Sequence, residues 1–270
     1  MLDAAFPGAL LSCIATLFML PAALSPWIGE AKPGWPFWRS LLIALLWSQF
    51  MTWHLMWGRW SAALAADLWV TISATLTLFG LAALFNRQAW RLSALMMPYL
   101  ILLAILACFS ASRGPIAVSG DAPRAWIDIH ILVSVTTLGL LTLAAGAALA
   151  CFIQARALKN KTPNRLSRQL PAVSDSEKLY EGLLILSEAV LAAGVASGMA
   201  TEFAETGRLL ILDHKTLFSL LAFVLNGALI AGRRWGGVRG QSAVRLMLVG
   251  YSFVLLGYFG VKFVRQVLLS

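Results

Sequence analysis

Eight long apolar segments follow one another along the 270-residue chain and leave little of it outside a membrane. They lie at about 5–27, 40–58, 67–85, 92–110, 128–154, 181–200, 209–231 and 243–267, each close to the roughly 20 residues that a helix needs to cross a bilayer. Because backbone N–H and C=O groups in lipid must be paired within each segment, and no alternating barrel pattern is present, the segments are predicted to be helices. The sequence therefore predicts an all-α, polytopic integral membrane protein with about eight transmembrane helices.

The composition supports this class and excludes others. Hydrophobic residues make up 60% of the chain and charged residues 12%, and the mean hydropathy is +0.79. A soluble domain carries about a quarter charged residues, so a cytosolic globular enzyme, a disordered chain and a nucleic-acid-binding domain are all excluded. We expect a single membrane domain over 1–270, with four variable spans in 1–125 and four more in 126–270. The lipid bilayer is the expected partner.

The positions of the basic residues predict the orientation of the chain. The odd-numbered connections between spans carry most of the basic residues, namely Lys32, Arg39, Arg87, Arg91, Arg156, Lys159, Lys161, Arg165, Arg168, Lys178, Arg233, Arg234 and Arg239. The sixth connection instead carries the acidic residues Glu202, Glu205 and Asp213. Because cytoplasmic loops are enriched in Lys and Arg, the odd connections are predicted to be cytoplasmic and both termini to lie outside. The formal net charge of +9 is attributed to this enrichment of Lys and Arg in cytoplasmic connections.

The chain has only three histidines, and the predicted topology brings them to one membrane face. His54 lies near the outer end of the second span, while His130 and His214 open the fifth and seventh spans at their outer ends. Neutral imidazole is a common axial ligand of haem iron, and two imidazoles from different helices can bind from opposite faces. The residues alone leave a second interpretation open, in which each histidine is a hydrogen-bonded structural residue.

Acidic and aromatic residues flank these histidines. Asp128 and Asp213 are close enough in sequence to orient an imidazole through its other ring nitrogen. The same predicted face carries four tryptophans that could stack on a porphyrin, Trp53, Trp57, Trp60 and Trp126. Tryptophans at a membrane interface also serve as anchors, so both interpretations stand for them.

Two stretches of the chain resemble a known family. Residues 126–159, WIDIHILVSVTTLGLLTLAAGAALACFIQARALK, resemble the Trp-x-x-x-His helix of the cytochrome c assembly protein superfamily. The similarity continues through Leu170-Pro171 and Glu177. It is strongest in the last stretch, where Asp213-His214-Lys215-Thr216, Arg239-Gly240 and Tyr258-Phe259-Gly260 look like the YpjD/HemX-like branch of inner-membrane proteins in order and spacing. The resemblance covers roughly residues 126–270, and His54 lies where this branch often has a histidine in the second span.

The resemblance implies a haem-binding role. It places His130 and His214 at the haem-ligand positions of the superfamily, with Trp126, Asp213 and His54 as further cofactor-binding residues. The cofactor would be haem, the partners would be cytochrome c maturation proteins, and the location would be a bacterial inner membrane. Haem exporters and synthases of the superfamily carry a Trp-rich WWD motif between the two histidines, but the loop TEFAETGRLLILDHK has no Trp. An accessory haem-handling role is therefore expected, not synthase activity.

Other residues in the spans suggest additional features. Glu188 lies inside the sixth span and is a candidate intramembrane polar site, because a charged side chain in lipid is costly unless it is paired or neutral. Gly194 and Gly198 form a GxxxG pattern that predicts close helix packing. Lys262 and Arg265 are predicted to reach the headgroups, with pairing to haem propionates as the alternative.

No motif for enzymatic chemistry is visible in the chain. Phosphate-binding loops, HExxH and GxSxG are all missing, so we expect no enzyme activity. Two other functions remain open from the residues alone. One is a small-solute or ion transporter that uses Glu188 and His54, and the other is a membrane assembly factor with no cofactor.

Overall fold

The computed structural model describes residues 5–28, 33–56, 63–110, 123–209, 211–238, 240–260 and 264. These residues form nine α-helices: α1 (Ala5–Ile28), α2 (Trp35–Leu55), α3 (Leu64–Phe85), α4 (Ser93–Ser110), α5 (Arg124–Lys159), α6 (Arg165–Gln169), α7 (Val173–Thr206), α8 (His214–Trp235) and α9 (Gly240–Leu255). A 3₁₀ turn, Ala89–Leu92, precedes α4, and a π-helical turn, Leu256–Gly260, follows α9. The all-α prediction is confirmed.

Seven helical stretches among the described residues are long and apolar enough to cross a membrane: Gly8–Ile28, Leu64–Phe85, Ala89–Ser110, Arg124–Lys159, Val173–Thr206, Thr216–Trp235 and Gly240–Gly260. The protein is therefore a multi-pass membrane protein. The predicted second span is a helix of 21 residues, α2, but it is not among the seven. Its mean hydropathy is lowered by Arg39, Gln49 and His54. The predicted sidedness stays a prediction.

Several helices extend beyond the predicted spans. Helix α5 is 36 residues long and α7 is 34, so Arg156, Lys159 and Lys178 are helical residues and not part of an open loop. The predicted long connection near 155–180 thus holds the ends of two helices and the five-residue helix α6. The prediction was wrong there because apolarity marks only the part of a helix that lies in lipid.

The helices group into two compact units, one formed by residues 1–118 and 153–175 and the other by residues 119–152 and 176–270. In the first unit α1 packs against α2 and α4, and α3 completes the cluster by packing against α2 and α4. Its centre is the fully buried Trp69, whose Nε1 donates to Ser12 Oγ at 3.2 Å. Small polar residues of this kind let helices approach closely in lipid.

The second unit contains α8, α9 and the main parts of α5 and α7. Helices α8 and α9 pack against each other, and Thr142 Oγ1 of α5 lies 2.9 Å from Tyr251 Oη of α9 in a buried hydrogen bond. Helix α8 ends in a glycine turn, in which Gly237 has φ +65° and Val238 N donates to Gly232 O at 3.0 Å. Many large apolar side chains remain exposed, including Leu132, Val224 and Leu186, as expected for helices that face lipid and not water.

Candidate functional site

His130 is held by a hydrogen bond from helix α5 to helix α7. Its Nδ1 lies 3.0 Å from Ser197 Oγ, and the Ser197 hydroxyl is in turn 3.0 Å from the Gly194 carbonyl, to which it donates. Because that hydroxyl proton is used on Gly194, Ser197 Oγ accepts a hydrogen bond from His130 Nδ1–H. In a neutral imidazole this arrangement leaves the lone pair on Nε2, a nitrogen that histidine offers to metals.

Two glycines of α7 allow this contact. A Cβ at Gly198 would lie 3.0 Å from His130 Cε1, and a Cβ at Gly194 would lie 3.5 Å from Val133 Cγ1. The imidazole therefore packs directly on the α7 backbone, and the predicted close packing at the GxxxG pattern is confirmed. The half-buried ring fills the space that a larger residue at 198 would occupy.

Trp126 precedes His130 by about one helical turn on α5, so the two side chains share a face of that helix. Trp126 is 45% exposed, and its indole is available to a flat apolar ligand or to the bilayer interface. Asp128 lies between them in sequence and is half-buried.

His214 is the first residue of α8 and its side chain is exposed. The preceding residue, Asp213, is the N-cap of the helix, and its Oδ1 accepts a hydrogen bond from Thr216 N at 2.8 Å. The predicted seventh span began near 209, but the helix begins at 214 because this cap fixes its first turn. Asp213 therefore supports the backbone that carries His214.

His54 belongs to the first compact unit, in the last turn of α2. Its exposed ring stacks on Phe50 with ring centroids 6.1 Å apart, and Trp53 beside it is 61% exposed. Trp57 and Trp60 lie outside the described residues, as do Lys262 and Arg265.

The geometry at His130 can be compared with what a haem would require of the protein. Within the described ranges, no group of three or more His, Cys, Asp or Glu residues could hold a metal ion. A haem iron already has four ring nitrogens and needs at most two axial ligands from protein. An imidazole fixed through its Nδ1 meets that requirement.

A second polar site lies deeper in the same unit. Glu188 of α7 has both carboxyl oxygens buried, and Asn226 of α8, which lies beside it, is fully buried. Glu188 belongs to Val173–Thr206, one of the seven stretches that are long and apolar enough to cross a membrane. Asn226 was missed, although an amide alone in the apolar run LLAFVLNGALIAG is a visible signal.

A third polar cluster joins α7 and α8 near Trp235. Arg233 Nη2 lies 3.2 Å from Glu177 Oε1 and 3.2 Å from Glu181 Oε2, and its guanidinium carbon is 4.8 Å from the centroid of the Tyr180 ring. The Arg233 side chain is only 7% exposed. Arg233 was predicted to lie in a cytoplasmic connection, but it lies on α8 and pairs with two acids.

The chain is similar to known proteins in two comparisons. The chain matches the family described as Cytochrome C assembly protein over residues 35–269. It is 44% identical, over 96% of its length and 97% of the relative's, to an uncharacterized 28.8 kDa protein in a nifR3-like 5′ region of Azospirillum brasilense. No solved structure matches the chain.

Proposed function

Since the chain belongs to the cytochrome C assembly protein family, we propose that it is a haem-binding membrane protein that serves cytochrome c maturation. We place it in the YpjD/HemX-like branch and in a bacterial inner membrane, with both termini on the outer side. Haem and cytochrome c maturation proteins are its proposed partners. It acts by binding and not as an enzyme.

The observation that carries the proposal is the hydrogen bond from His130 Nδ1 to Ser197 Oγ at 3.0 Å. Histidines that bind metals donate their other ring N–H to a fixed acceptor, which sets both the tautomer and the ring orientation. The acceptor here is itself fixed, because the Ser197 hydroxyl donates to Gly194 O. Haem would supply an iron with axial positions, and His130 Nε2 is the nitrogen that would bind it.

The other predicted residues have supporting roles in the proposal. His214, on the first turn of α8, would be the second residue to hold the haem, and Asp213 holds that turn through its bond to Thr216 N. Trp126 offers an exposed indole one turn before His130, against which a porphyrin can pack. His54 is proposed only as an assisting residue that does not bind the iron.

The test of this proposal is a haem titration of the full-length protein in nanodiscs. We expect a Soret band in the wild type, and a weaker or shifted band in both His130→Ala and His214→Ala. His54→Ala serves as the comparison, and we expect it to retain an axially ligated spectrum. A wild-type protein that stays free of haem after haem-replete expression and titration would overturn the proposal.

Ser197→Ala tests the specific geometry. Removing a hydrogen-bond partner of a metal-binding histidine typically weakens metal binding by about 10- to 100-fold, and we expect a loss of that order in haem affinity. Ser187→Ala is the matched control, because Ser187 is a fully buried serine of the same helix whose hydroxyl donates to Leu184 O at 2.9 Å. Equal haem affinities in the two variants would exclude a positioning role for Ser197.

The buried Glu188 carboxyl favours a second candidate function, the transport of a small solute or ion that depends on Glu188, with His54 as the other residue that the sequence suggests for it. This function predicts substrate-dependent flux into proteoliposomes that is lost in Glu188→Gln and is independent of haem. A third candidate, an assembly factor with no cofactor, predicts that all three histidines can be replaced without effect on cytochrome c maturation.

A further inference from the structure

Four buried polar atoms face one another between α7 and α8. They are the two carboxyl oxygens of Glu188 and the amide oxygen and nitrogen of Asn226, and none has a hydrogen-bond partner among the described residues. A Cβ at Gly227 would lie 3.4 Å from Glu188 Oε1, so the carboxyl reaches the α8 backbone beside Asn226. Buried polar groups without partners are strongly unfavourable, and the group that satisfies them has to be identified.

Packing holds the Asn226 amide in place. A Cβ at Gly250 of α9 would overlap Asn226 Oδ1 and lie 3.3 Å from its Cγ. Only glycine at 250 leaves room for the amide, and the Asn226 side chain is 0% exposed. The terminal torsion of Glu188 is soft, so its carboxyl can rotate toward the fixed amide.

No counter-charge for Glu188 is found in the described part of the chain. The two ion pairs there both belong to Arg233, which follows Asn226 by about two helical turns and is bound to Glu177 and Glu181. A carboxylate in this position would be an unpaired charge inside a membrane span, which is costly.

Four titratable groups of the neighbouring helices are accounted for by other contacts or by their distance along a helix, and Arg245 of α9 is exposed. Tyr251, next to Gly250 on α9, is hydrogen-bonded to Thr142 of α5. On α5, His130 binds Ser197 and Cys151 lies more than two turns beyond Thr142. Tyr180 of α7 lies under the Arg233 guanidinium. Asn226 is therefore the group that determines what Glu188 binds.

We infer that Glu188 is a proton-binding site within the membrane, and that the neutral acid forms two hydrogen bonds with Asn226. The carboxyl O–H donates to Asn226 Oδ1, and Asn226 Nδ2–H donates to the carbonyl oxygen of Glu188. The carboxylate takes its proton from water. A carboxylate can only accept hydrogen bonds, so it would leave Asn226 Oδ1 facing a negative oxygen. Protonation gives a partner to each of the four atoms.

The paired side chains link α7 and α8, the helices that carry Ser197 and His214. Binding of one proton therefore forms a hydrogen-bonded contact between these two helices inside the bilayer. This inference does not depend on the proposed haem function, because none of its four atoms belongs to a proposed haem ligand.

The experiment is infrared spectroscopy of the full-length protein in lipid nanodiscs at neutral pH. We expect a C=O band of a protonated carboxylic acid in the wild type that is missing in Glu188→Gln. Glu205→Gln, an exposed position on the same helix, is the control and keeps the band. Glutamine has the shape of a protonated glutamate and forms the same paired bonds with Asn226, so Glu188→Gln is expected to fold and to unfold at the wild-type temperature.

Asn226→Leu provides an independent readout with Glu188 intact. Loss of the two hydrogen bonds is expected to shift the acid band to higher frequency without removing it. If Glu188→Gln loses a carboxylate band of the wild type and not an acid band, Glu188 is ionised in the wild type and the inference is overturned. So would an acid band that the substitution of Asn226 does not move, or a carboxylate band in the wild type that responds to Na⁺ or K⁺, which would indicate a metal cation as the occupant.

Discussion

Replacing Gly198 by alanine perturbs the proposed site through one methyl group. The added Cβ would lie 3.0 Å from His130 Cε1 and 3.5 Å from Nδ1, so the imidazole has to move by a few tenths of an ångström. The ring cannot move freely, because Nδ1 is bound to Ser197 Oγ. Gly198→Ala therefore acts on the orientation of His130 without removing any of its atoms.

The magnitude follows from two opposing effects. Alanine in a helix interior is favoured over glycine by about 1 kcal/mol, which stabilises the variant. Overpacking against a fixed side chain costs about 1–3 kcal/mol, and a strained hydrogen bond contributes about 1 kcal/mol more. We expect a net loss of about 1–3 kcal/mol in the free energy of unfolding, together with a roughly tenfold loss of haem affinity as for other disturbed ligand supports.

Gly182→Ala on the same helix is the matched control. Nothing lies within 4 Å of a Cβ at Gly182, so only the gain in helix propensity remains and the variant is expected to be as stable as the wild type or more so. Unfolding in mixed micelles and haem titration measure both effects. If Gly198→Ala matches Gly182→Ala in stability and in its Soret titration, the His130 ring does not pack against α7 at Gly198 as described.

Two further variants test the supports of the same unit. Asp213→Ala removes the cap bond to Thr216 N and is expected to cost about 1 kcal/mol of stability, with faster hydrogen exchange in the first turn of α8. Arg233→Met leaves Glu177 and Glu181 facing each other without their cation. Because these acids are 36% and 51% exposed, the expected loss is about 2 kcal/mol, between values for exposed and buried pairs. Unfolding in mixed micelles measures it.

Each of these variants has a close control. Asp213→Asn retains a capping side chain and is expected to behave like the wild type. Arg234→Met removes the neighbouring exposed charge and is expected to change stability by less than about 0.5 kcal/mol. An Arg234 variant as unstable as the Arg233 variant would show that net charge, not the buried cluster, is responsible.

The helices were predictable because lipid imposes a single requirement on the chain. A backbone that can find partners only within its own segment has to be helical, and about 20 apolar residues mark each crossing. The ends of the helices follow from other forces. Helix α5 continues to Lys159 through ordinary helix-forming residues outside the apolar run, and α8 begins at His214 because of the Asp213 cap.

The candidate site was predictable only in part. His130, His214 and Glu188 are rare residue types in apolar surroundings and stand out in the sequence. Ser197 does not stand out, because small residues such as serine are common at helix contacts in membranes. Its contact with His130 also depends on how α5 and α7 are rotated about their axes, which the sequence does not give. Asn226 was detectable by the same reasoning as Glu188, but its pairing required the positions of Gly227 and Gly250.

The proposed bond between His130 Nε2 and haem iron is tested most directly by electron paramagnetic resonance. The samples are the ferric, haem-loaded wild type and His130→Ala, with His54→Ala as the control. We expect a low-spin signal in the wild type and in the control, and a high-spin signal or loss of haem in His130→Ala. A low-spin signal that persists unchanged in His130→Ala would show that His130 does not bind the iron.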